Sequence, residues 1–291
     1  MKKLLLISLL LLIMPVAFAE DVDVNVYLLN LGKYEISTGS FTADFYLSMK
    51  CESDCGRFEF MNGRADKIDA ITDEPNEKFY RIQAILSSPV DLAGFPFDKQ
   101  KMQIIIEDKE KTIEDIKYIA TKEKSGLDES IAFSGWQIDG WDIATKEHYY
   151  PPYDETYSQY VYTLNISRIP LNAFIKTFLP VFFMILIVMF TFIMDTDKIA
   201  TRIAVTSSSL VAAVMFHISV ANQIPPVGYL TVADKFMILT YFIILLSVVS
   251  NVMILEFMEQ KKIELAEKIH RRTEYSVFII IPLMYLLFFI F

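Results

Sequence analysis

The chain has 291 residues, enough for a sandwich-sized soluble domain and a small helical bundle. Hydrophobic residues make up 53% of it and the mean hydropathy is +0.36, with the apolar residues gathered in blocks, which excludes an ordinary soluble composition. Residues 20–171 hold 28 acidic against 16 basic side chains, a net of −12, whereas residues 172–291 hold 8 against 9, so nucleic acid is excluded as a partner and cations are favoured near the first half.

The first apolar block reads as a removable signal peptide over residues 1–19. Lys2 and Lys3 precede Leu4–Met14, and Ala17-Phe18-Ala19 supplies a small-residue cleavage pattern. An uncleaved N-terminal anchor is the other reading. With the signal peptide, the next segment lies in the periplasm or outside the cell.

Residues 20–171 alternate with a period of two. Val22, Val24 and Val26 oppose Asp21, Asp23 and Asn25; Met102, Ile104 and Ile106 oppose Gln103 and Ile105; Tyr160, Tyr162, Leu164 and Ile166 oppose Val161, Thr163, Asn165 and Ser167. Such runs, broken by Ser88-Pro89, Gly94 and Pro151-Pro152, predict an antiparallel β-sandwich. The two cysteines, Cys51 and Cys55, read as a small disulfide loop in an exported segment. His148 is far from them in sequence, so no metal site is expected, nor any cofactor.

Four apolar runs follow, and helices are predicted at about 172–194, 199–223, 231–255 and 273–291, each close to the ~20 residues that a spanning helix requires. Pro225-Pro226 and Gly228 end the second. Both ends of the mature chain then lie outside. The inner loops hold Lys198, Arg202, Lys261, Lys262, Lys268, Arg271 and Arg272, whereas Lys235 lies in the outer connection, which is the positive-inside bias of a multi-pass inner or plasma membrane protein. The fold class is therefore a β-sandwich followed by a four-helix transmembrane bundle in the lipid bilayer.

The second span differs from the others. Steps of four and three place Ala204, Ser208, Val211, Met215, Ile218 and Asn222 on one stripe, polar at both ends and apolar between. Such a stripe suits a pore that wets at its mouths and closes by dewetting. It equally suits a helix–helix packing face, because small residues and Ser or Thr join helices inside membranes. His217 sits one position before Ile218 and off the stripe, where a hydrogen-bonded residue between helices is the favoured reading over a pH switch.

Asp91-Leu92-x-x-Phe95-Pro96-Phe97-Asp98-x-Gln100 is the most specific motif, and its Gly94, Pro96 and Phe-Pro bond describe a tight turn. With Gly135-Trp136-x-Ile138, Ile166-Ser167-Arg168, Pro180, Pro225 and Tyr229, it makes the sequence resemble the prokaryotic pentameric ligand-gated ion channels, relatives of the Cys-loop receptors. Gly140-Trp141-Asp142-Ile143 fits the Gly-Trp pattern as well. Ser88 and Met102 stand where animal receptors carry the bracketing cysteines.

The resemblance implies a homopentamer that passes permeant ions in response to a small-molecule agonist or protons. It places Phe95, Pro96, Phe97, Asp98, Arg168, Pro225 and Tyr229 in the coupling of agonist binding to gating, with Asp98 meeting Arg168; a snorkelling interfacial anchor is the other reading of Arg168. It implies an agonist site beneath the hairpin His148–Tyr160, where Tyr150, Tyr153 and Tyr157 are the candidate cation–π partners. The loop near Glu107–Lys111 has no aromatic residue and the segment Cys51–Arg57 is short, so an acidic or proton-responsive pocket is as plausible as an aromatic cage.

Relatives that conduct cations place a glutamate just before the basic residue at the inner mouth. Ala200 and Thr201 stand there, with Asp195 and Asp197 further in, so monovalent cations are expected and anions are the alternative. A membrane-anchored sensor that does not conduct is the runner-up. An enzyme is not expected, because His217 and Ser207–Ser209 lack a partner acid or metal cluster in the sequence, and no catalytic residue is assigned.

Overall fold

In the computed structural model, residues 19–290 are described, and the signal-peptide reading of residues 1–19 lies outside them but for Ala19. Chain contacts divide the protein into two compact units. One comprises residues up to Val90, Gln100–Ser134 and Ile138–Ile166; the other comprises Asp91–Lys99, Gly135–Gln137 and the residues from Ser167 onward.

The first unit is a β-sandwich. One sheet has the order β4 (Gly63–Glu74), β5 (Glu77–Ser87), β2 (Ser40–Lys50), β1 (Glu20–Glu35) and β7 (Ile116–Ala120), with β8 (Gly126–Leu127) also beside β1. The other has the order β3 (Phe58–Phe60), β6 (Lys99–Asp108), β10 (Glu155–Arg168) and β9 (Trp136–Tyr150). Period-two alternation turns Val22, Val24 and Val26 of β1 and Phe41, Phe45 and Leu47 of β2 inward, and all are buried. Met102, Ile104 and Ile106 of β6, and Tyr160, Tyr162, Leu164 and Ile166 of β10, are buried likewise. Pairing of β1 with β7 and β8 is parallel, because the chain returns to β1 by long crossovers rather than hairpins.

In the second unit the first span is two helical segments, α1 (Pro170–Thr177) and α2 (Leu179–Thr191). Pro180 has no N–H to donate, which explains the break beside it. Then come α3 (Ile199–Ala221), α4 (Val232–Glu259) and α5 (Ile263–Ile290). All four spans are long and apolar enough to cross a membrane. Helix α5 starts ten residues before the predicted position of 273, because Lys268, Arg271 and Arg272 favour helix as readily as the apolar run that hydropathy detects.

Phe178 is the hub of this unit's core. Its ring lies 4.6 Å from Phe236, 5.3 Å from Phe289, 5.6 Å from Phe97 and 5.8 Å from Phe174. Such aromatic contacts add to the transfer energy of a fully buried ring. Phe178→Ala is expected to cost about 3–5 kcal/mol. Thermal unfolding of the detergent-solubilised chain should show this as a lowered midpoint, and Phe178→Leu should fall between the two.

Candidate functional site

Helix α3 presents two unlike faces. Arg202, Thr206, Ser209, Ala213 and Val220 are buried against the chain's own helices, and Thr206 and Ser209 return their hydroxyls to backbone carbonyls one turn back. All six residues of the predicted stripe are exposed, with Val211 and Met215 both at 63%. Packing within the chain therefore uses the opposite face. Arg202 is wholly buried, its guanidinium 4.7 Å from the Phe192 ring and its Nη1 donating to His270 Nδ1 at 3.0 Å. Its charge points into the bundle rather than along the stripe.

The Asp91–Lys99 loop belongs to the helical unit. It turns through bonds from Phe95 N–H to Leu92 O and from Phe97 N–H to Gly94 O, and the Phe95–Pro96 peptide is cis. Val232 and Ala233, at the start of α4, donate to the carbonyls of Ala93 and Phe95 at 3.1 and 3.0 Å, and Tyr229 Oη accepts from Leu92 N–H at 2.9 Å. Phe97 stacks on Phe178.

The Asp98 carboxylate is buried and accepts from Arg168 Nε at 2.5 Å. The Arg168 guanidinium carbon lies 4.7 Å from the Trp136 ring and 5.0 Å from Phe95, so aromatic faces cover the cation, while its Nη2 is buried without a hydrogen-bond partner. The structure thus brings Phe95, Phe97, Asp98, Arg168 and Tyr229 into one region and adds Trp136 of the Gly135-Trp136 pair. Pro225 is half-buried on the connection between α3 and α4.

In the β-sandwich, the three predicted tyrosines line one cleft of about 380 Å³, together with Glu59, Glu107, Asp108, Glu155 and Lys109. Tyr150 and Tyr157 meet edge-to-face at 5.6 Å, and Tyr153 projects from the hairpin tip at 73% exposure. Glu107 organises the cleft. Its carboxylate contacts His148 Nδ1 at 2.6 Å and accepts from Gln159 Nε2 at 2.6 Å and Tyr150 Oη at 3.0 Å. Burial and the Glu107 carboxylate push the Tyr150 hydroxyl up to about 12, and the Glu155 carboxylate, hydrogen-bonded to Tyr157, raises that hydroxyl too. Both phenols thus stay protonated donors near neutral pH. Four carboxylates against one lysine, with aromatic edges, form a pocket suited to a cation.

Glu107 is absent from the sequence-derived site. Alternation places it on the outward face of β6 with Gln103 and Ile105, and it becomes buried because His148 and Tyr150 of β9 and Gln159 of β10 close over it. No spacing in the sequence signals that cover. Cys51 and Cys55 are joined by a disulfide. Their loop is held to the far side of the same region: Lys111 pairs with Asp54 at 2.9 Å, holding that carboxyl below its usual range, and Asp108 accepts from Arg57 N–H at 2.6 Å.

Two outcomes follow from these geometries. Glu107→Ala leaves three donors facing a buried gap and should destabilise the chain by about 1–3 kcal/mol, more than Glu107→Gln does, read by chemical unfolding. Arg168→Gln leaves the Asp98 carboxylate buried without that cation, so Asp98→Asn should restore part of the stability lost; strictly additive losses in the double variant would contradict the pairing.

No protein-family profile matches the chain. Over 169 residues it is 26% identical to a protein of Gloeobacter violaceus named "Proton-gated ion channel". The match covers 58% of this chain and 46% of the relative, so the chain spans about half the length of that curated relative. In its motifs and in its architecture of a β-sandwich followed by four apolar helices, the chain resembles the prokaryotic pentameric ligand-gated ion channels.

Proposed function

We propose that the chain is one subunit of a homopentameric ligand-gated ion channel. An exported β-domain (20–171) binds the agonist, and a four-span domain (172–291) carries the pore. The observation that carries this reading is the α3 stripe. Ala204, Ser208, Val211, Met215, Ile218 and Asn222 are all exposed while the opposite face of the same helix is buried. Five such stripes around an axis make a path with polar mouths and a central apolar constriction that closes by dewetting.

The agonist is a small cation or the proton itself. The acidic cleft beneath the β9–β10 hairpin suits an organic cation, with Tyr150, Tyr153 and Tyr157 as aromatic contacts. The similarity to a protein named as proton-gated favours protons. In either case binding biases a two-state equilibrium of the helices, and the cluster of Phe95, Pro96, Phe97, Asp98, Arg168, Pro225 and Tyr229 transmits it.

The permeant ions are monovalent cations. The net charge of −12 on residues 20–171 and the acids Asp195 and Asp197 ahead of α3 support this, and Arg202 offers no cationic ring because it is buried. Anion selectivity is the second reading, favoured by Ala200 and Thr201 at the place of the expected glutamate.

The test is state-dependent chemistry on the stripe. Cysteines placed by Ser208→Cys and Val211→Cys should react with water-borne thiol reagents, faster when the chain is stimulated by acidic pH or a small amine. Equal inertness of both in every condition contradicts the pore and favours a sensor that does not conduct.

A further inference from the structure

His217 joins α3 to the part of the chain that holds the Asp91–Lys99 loop. Its Nε2 lies 2.9 Å from Asp234 Oδ1 and its Nδ1 lies 2.8 Å from Tyr241 Oη, both on α4. The second oxygen of Asp234 is committed elsewhere. Oδ2 accepts from Thr231 N–H and Thr231 Oγ1, each at 2.8 Å, while Asp234 N–H donates to Thr231 Oγ1 at 3.2 Å. This reciprocal capping box fixes the first turn of α4. The two residues between Thr231 and Asp234, Val232 and Ala233, donate to the loop carbonyls of Ala93 and Phe95. One turn of helix thus holds the loop with its backbone and α3 with its carboxylate.

We infer that His217 is the positioning residue through which movement of the Asp91–Lys99 loop reaches the stripe of α3. The inference rests on the channel reading above. An aliphatic residue would fill this space between helices. Instead, three polar side chains meet between the last turns of α3 and the first turns of α4 with their hydrogen bonds matched, a polar contact of the kind that joins spanning helices. The two imidazole nitrogens are held by two points on α4 about two turns apart, so the ring cannot swing independently of that helix. Ile218 is the next residue along α3, about 100° round the helix, so a shift of the imidazole turns Ile218 with it. A loop displacement that moves Val232 and Ala233 therefore drags Asp234, His217 and the exposed face together.

The path makes the effects of its links non-additive. In the full-length chain reconstituted in liposomes, Ile218→Cys provides the probe, read as its rate of modification by a charged thiol reagent, alongside K⁺ efflux after a step to acidic pH. Tyr229→Phe, which removes the bond from Leu92 N–H, should change the thiol rate by about three- to tenfold, the range of coupling seen along contiguous networks. With His217→Ala present, the same Tyr229→Phe should change it less than about twofold, because the link is already broken.

His217→Gln offers a donor and an acceptor on one amide and should restore the response to Tyr229→Phe. Where His217→Ala fails to assemble, Tyr241→Phe and Asp234→Asn, which keep their volumes, take its place in the cycle. Additive effects of Tyr229→Phe and the break at His217, no effect of Tyr229→Phe on the thiol rate, or failure of His217→Gln to restore it overturns the inference. A chain that passes no K⁺ under any condition defeats the channel reading instead, and the thiol cycle still decides the role of His217.

Discussion

The buried ion pair of Asp98 and Arg168 is the constraint on which the helical unit's organisation depends. A carboxylate removed from water is tolerated only with a cation and hydrogen bonds in place. Arg168 supplies the cation, while Trp136 and Phe95 cover the guanidinium. Arg168 is the last residue of β10, and two residues later α1 begins. Asp98 ends the loop, and Lys99 begins β6. The pair therefore pins the point where two neighbouring strands of one sheet give way to a loop and a helix. Beyond it, the same loop holds the start of α4 through two backbone bonds and places Phe97 on Phe178.

Strands β6 and β10 also carry the other polar cluster. Glu107 lies towards the far end of β6 from Asp98, and Gln159 towards the far end of β10 from Arg168. Under the proposed function, a ligand in the cleft would alter how Glu107 is shared among His148, Tyr150 and Gln159.

Much of this architecture was legible in the sequence because it rests on repetition. Alternation gives the inward faces of β1, β6 and β10, and the apolar runs give the four spans. The exposed stripe of α3 follows from helical spacing alone, although spacing left open whether it faced a neighbouring helix of the same chain. Single, non-periodic contacts were less accessible. Asp98 and Arg168 are 70 residues apart, and only the motif resemblance paired them. Glu107 entered only as the start of a loop without aromatic residues, because its cover comes from two other strands. Asp234 carries no periodic signal either: one of its oxygens serves the capping box with Thr231, and the other reaches His217 on the preceding helix. Charged helical residues such as Lys268 and Arg271 hid the start of α5 from any measure of hydropathy.

The proposed channel conducts ions when its β-domain is stimulated. Recording purified protein in planar bilayers under a KCl gradient, with pH and small amines varied on one side, tests it most directly. Stimulus-dependent unitary currents that reverse near the K⁺ equilibrium potential are expected. Currents reversing near the Cl⁻ potential would contradict the cation assignment, and silence across all conditions would contradict the channel.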